Sequence, residues 1–144
     1  MNGSRDYLLE VIERAGEALA AMATGRTDLR AREEETDVEL AFDREFGHLH
    51  LHLARVDATS AALLLRPPRR VRLYALMLVR LAATRDEAGA EALVRRALEL
   101  LLAADAVDPG GREPALLAML AASVDHTRLE PFARAALAPV SGGM

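Results

Sequence analysis

Apolar positions along this chain gather in three long runs, 71–83, 88–106 and 115–124, each closed by a turn signal. Runs of that length exceed a strand and fit helices buried on most of their surface. Ahead of them, Leu8, Val11/Ile12, Ala15, Leu19 and Met22 recur at three- and four-residue steps, with Ser4 and Asp6 as caps and Gly25 as a stop. That is one amphipathic helix. A second is predicted from a cap at Thr27 or Asp28 to about Phe46, charged over 30–37 and striped by Val38, Ala41/Phe42 and Phe46, with Gly47 ending it.

Residues 48–53 alternate His and Leu. The pattern predicts an extended connection that buries Leu49, Leu51 and Leu53 and turns His48, His50 and His52 the other way. Asp57 is placed to cap a short helix over 58–65, which Pro67-Pro68 breaks. Helices over about 69–84 and 87–106 follow, the second capped by Asp86 and carrying Glu91 four residues before Arg95. Residues 97–104 are apolar on every side except Glu99, which predicts a central helix. Asp108-Pro109-Gly110-Gly111 is a break, and Pro114 suits the first turn of a helix to about Val124. Thr127-x-x-Glu130 has capping-box spacing before a last helix to Leu137.

The expected architecture is a single domain over 1–144, all-α, an antiparallel array of six or seven helices joined by short links, with 1–4 and 139–144 frayed. Composition agrees. Apolar residues make up 51% but aromatics only 3%, so the core must be Leu, Ala and Val. There is no cysteine, which excludes disulfides and thiolate chemistry. The longest uncharged run, 114–124, is about half of a membrane span, and no signal-peptide stretch is visible, so a cytoplasmic protein is expected. A net charge of −4 gives no general attraction to nucleic acid or an anionic membrane. All 18 basic residues are Arg, a codon-bias pattern that the abundant Ala shares.

The 97–109 segment places Ala97, Leu101, Ala104 and Pro109 at the second-helix spacing of a tetratricopeptide repeat, while Thr84-Arg85 stand where that repeat has Leu-Gly. The likeness is to hairpin geometry. Asp6-Tyr7-Leu8-Leu9-x-x-Ile12-Glu13, followed by Leu19-Ala20 and Gly25, resembles the opening of a family of small uncharacterised bacterial helical proteins. The likeness runs over roughly 5–106, through the leucine-bearing connection at 49–53 and the hairpin at 73–106. It implies a tetratricopeptide-like helical fold and supplies no activity. The histidines of the connection and the helices after Pro114 depart from the family pattern.

Candidate chemistry is sparse. Glu45, His48, His50 and His52 could ligate a metal, since Glu-x-x-His is a ligand spacing in carboxylate-bridged bundles. The competing reading is three solvent-facing histidines opposite buried leucines. Arg66, Arg69, Arg70 and Arg72 form a cationic cluster that reads first as a solvated loop followed by a helix start; no aromatic residue sits inside it to stack a base, so protein contact is expected ahead of nucleic acid. Its acidic counterpart is Glu33, Glu34, Glu35, Asp37 and Glu39. Ser123, Asp125 and His126 read as turn and cap residues.

The expected role is therefore non-catalytic, with no cofactor: a protein-interaction or scaffold module, a homodimer being one form of it. Its partner-binding residues are expected among Leu64, Leu65, Arg66, Arg69, Arg70, Arg72, Leu100 and Leu102. The alternative is a metal-binding protein using Glu45, His48, His50 and His52.

Overall fold

In the structure, a computed structural model, residues 40, 44–47 and 49–142 are described, with side chains to 137. The expected first helix, most of the second, and the acidic run lie outside them. The described chain is all-helical: α1 (Leu49–Leu53), α2 (Ala58–Leu65), α3 (Pro68–Ala82), α4 (Glu87–Val107), α5 (Pro114–Ala122) and α6 (Pro131–Gly142). Short 3-10 turns at Pro109–Gly111 and His126–Arg128 link α4 to α5 and α5 to α6.

Local signals set most boundaries. Asp57 caps α2 by accepting the Ser60 N–H at 3.3 Å and the Ser60 hydroxyl at 2.5 Å. Asp86 caps α4 through the Gly89 N–H at 2.8 Å. Both satisfy first-turn donors that have no intrahelical partner. Pro68 and Pro114 stand in first turns, where a missing N–H costs nothing. Gly47, at φ 54°, ends the turn holding Phe46 in a conformation that other residues reach with strain.

α4 is the central element. α3 lies along it as an antiparallel hairpin, α2 rests on both, and α5 and α6 cover α4 elsewhere. Residues 97–104 are all buried, Glu99 included, as a segment apolar everywhere but at that glutamate predicts. Leu53, Leu65, Leu76, Met77, Leu98, Leu100 and Leu120 are fully buried within one continuous core. Each such leucine contributes about 1.5–3 kcal/mol by leaving water.

Three sequence expectations are corrected. Residues 49–53 are helical, not extended. Helical spacing puts Leu49 and Leu53 on one face, so Leu53 is 1% exposed while Leu51 is 65% exposed. The capping box at Thr127 and Glu130 does not form. Asp125 accepts from the Thr127 N–H and hydroxyl, closing a 3-10 turn, and Glu130 turns to α2 and α4 instead. The last helix also runs past Leu137, to Gly142.

Candidate docking surface and the polar anchors of the fold

α2 buries Ala58, Ala61 and Leu65, which share one face at steps of three and four. Leu63 and Leu64 point away from it and are 58% and 52% exposed. Arg66 follows at the C-terminal end of α2, exposed, and Arg69 is exposed in the first turn of α3. From 58 to 85 there is no Asp or Glu, in a chain whose net charge is −4. The corner between α2 and α3 is thus apolar and cationic together.

Only part of the expected contact set lies there. Leu65, Leu100 and Leu102 are buried in the core and offer a partner no surface, a correction to that set. Arg72 is also buried and leaves the cationic surface. Its guanidinium donates to Asp105 at 2.9 Å, to Asp108 Oδ2 at 2.6 Å and to the Asp108 carbonyl at 2.5 Å. Burial alone would lower its pKa, but the Asp108 and Asp105 hydrogen bonds outweigh it and raise it above the usual guanidinium value. Arg70 is half-buried, its guanidinium 5.4 Å from the Phe46 ring centroid. Sequence reasoning passed over Leu63. The spacing of Ala58, Ala61 and Leu65 was the signal that could have found it.

A second polar group holds the fold together. Arg96 donates to the carbonyl of Leu53 at 2.7 Å and to that of Val56, and lies 3.4 Å from Glu130 Oε2. Glu130 Oε2 also accepts the Ala58 N–H at 3.0 Å, and the Glu130 N–H donates to Glu99 Oε2 at 2.8 Å. Arg96 thereby answers carbonyls at and beyond the end of α1, and Glu130 answers a first-turn donor of α2. Burial pushes the Glu99 carboxyl above its ordinary pKa.

The histidine segment is divided. His50 Nδ1 lies 2.7 Å from the Tyr74 hydroxyl, whose pKa burial pushes up to about 12. Phe46 meets the Tyr74 ring edge-on, with centroids 5.0 Å apart. Glu45 and His52 are exposed, and His48 lies outside the described residues. Among the described residues no three His, Asp or Glu side chains gather as a metal-binding group.

Ser123 donates to the Met119 carbonyl at 2.9 Å, His126 Nε2 lies 2.6 Å from the Ala121 carbonyl, and Asp125 caps its own turn. A cavity of about 30 Å³ lies among Arg72, Asp105, Gly111 and Glu113, floored by Leu101 and Leu116. That is room for a water molecule and far below a substrate pocket. Asp105 Oδ2, buried, takes no hydrogen bond. No helix among the described residues is long and apolar enough to cross a membrane. Comparison with protein-family models, with curated proteins and with solved structures finds no match for this chain.

Proposed function

We propose that the chain is a non-catalytic protein-interaction module that docks a protein, or a second copy of itself, on the α2–α3 corner. The observation that carries this reading is the pair Leu63 and Leu64, exposed side by side, with Arg66 beside them in a stretch free of acidic residues. Adjacent exposed leucines with a charged rim make a docking surface whose apolar centre supplies affinity and whose charges supply selectivity. Stacked hairpins of the tetratricopeptide kind and a cytoplasmic location belong to the same proposal.

The test is the double substitution Leu63→Asp with Leu64→Asp. Both side chains are exposed, so the variant folds and melts like the parent. It loses association, measured both as self-association by sedimentation and as proteins retained from its native cell. A folded variant with unchanged association in both assays would overturn the reading.

A further inference from the structure

We infer that the cavity beside Arg72 is a hydration site, taking an ordered water that donates to Asp105 Oδ2. The oxygen itself calls for a donor. Asp105 Oδ1 accepts from Arg72 at 2.9 Å, while Oδ2, closed to solvent, accepts nothing from the described residues. Leaving a buried carboxylate oxygen without a donor is costly, and any donor small enough to reach it removes the cost.

Room and a second partner are both at hand. The cavity of about 30 Å³ is lined by Arg72, Asp105, Gly111 and Glu113 as well as by leucines. That exceeds the roughly 10–15 Å³ that a water needs. A guanidinium carries five N–H donors. Arg72 spends three of them on Asp105 Oδ1, Asp108 Oδ2 and the Asp108 carbonyl. Among the described residues one N–H on Nη1 and the one on Nε remain. Water both donates and accepts, so one molecule joins a remaining guanidinium N–H to Asp105 Oδ2. A cation fits worse, because it would face the guanidinium across the same small space. The water ties together Arg72 on α3, Asp105 on α4 and Gly111 in the 3-10 turn that leads to α5.

Water-selective nuclear Overhauser spectroscopy of the full chain, paired with oxygen-17 relaxation dispersion, tests this. The parent gives cross-peaks with the sign of a bound water at the Leu101 and Leu116 methyls and the Gly111 amide, which line the cavity. It also shows a dispersion from long-lived water, a signal blind to side-chain protons that exchange with solvent. Asp105→Leu keeps the side-chain shape and removes both oxygens. Folded by circular dichroism, this variant loses the cross-peaks.

A parent without the methyl cross-peaks, or without the dispersion, overturns the inference whether or not the variant folds. Cross-peaks that persist in folded Asp105→Leu arise from exchanging guanidinium protons or from water held elsewhere, and overturn it too. A melting temperature that moves when sodium chloride is replaced by potassium or ammonium chloride at equal concentration gives the oxygen a cation instead, and the inference fails.

Discussion

Gly111 leaves open the space that the Arg72 guanidinium occupies: a Cβ there would lie 2.6 Å from Arg72 Cζ. The neighbour is the end of a flexible side chain, but Asp105 and Asp108 hold it in place. Gly111→Ala must therefore shift the 3-10 turn or expel the guanidinium, leaving the largely buried Asp105 without its counter-charge. The expected cost is about 1–3 kcal/mol. Gly110→Ala is the control, since its Cβ would meet only Asp108 Oδ1, at an ordinary 3.7 Å. It should stay within about 0.5 kcal/mol. Urea denaturation of the two variants measures the difference.

Neighbouring leucines should separate as sharply. Leu65 is 0% exposed and Leu64 is 52% exposed. Leu65→Ala is expected to cost about 2–5 kcal/mol through lost transfer energy and the cavity left behind. Leu64→Ala should fall within about 0.5 kcal/mol. Equal thermal shifts for the two would contradict the orientation of α2.

Removing Glu130 should loosen a helix far away in sequence. Glu130→Ala deletes the acceptor for the Ala58 N–H and the carboxylate facing Arg96. A loss of about 1–2 kcal/mol is expected, of the size of a helix cap. Glu130→Gln keeps an oxygen for Ala58 and should recover part of it. Thermal melts of the two variants decide this.

Glu99 gives a pH dependence of definite sign. Its carboxyl titrates above the ordinary value because it is buried. In the window between those two values the folded state holds more protons than the unfolded one, so stability falls as pH rises through it. Asp57 and Asp125 act oppositely. Hydrogen bonds from Ser60 and Thr127 hold their pKa values low, and their contribution is lost as pH falls through the folded values. Glu99→Gln removes the first effect and leaves the second. The variant should therefore gain on the parent as pH rises from below the ordinary glutamate value to neutrality. Chemical denaturation at pH 4 and about pH 7 reads the change.

Helix existence and most helix starts were legible because their causes are local. Asp57, Asp86, Pro68 and Pro114 act on the turn beside them. What misled was settled at long range. The His–Leu alternation at 49–53 is short, and the segment's helical shape is supported by Arg96, which binds the Leu53 carbonyl from 43 residues away. Thr127 and Glu130 have the right spacing for a capping box, but Ala58, 72 residues distant, takes the glutamate. The exposed Leu63–Leu64 pair was hidden by the same blindness. In apolar stretches such as 61–65 and 97–104, composition cannot tell which leucine faces a neighbouring helix. Arg72 looked like one more solvated cation until Asp105 and Asp108 met it across 33 and 36 residues.

The Ala58 amide hangs on a carboxylate from the far end of the chain. Its hydrogen can be replaced by solvent deuterium only when that carboxylate releases it. The exchange clock of this one position in a short helix thus keeps the time of that single long-range contact, and one resonance reports when Glu130 lets go of α2 or the first turn of α2 frays.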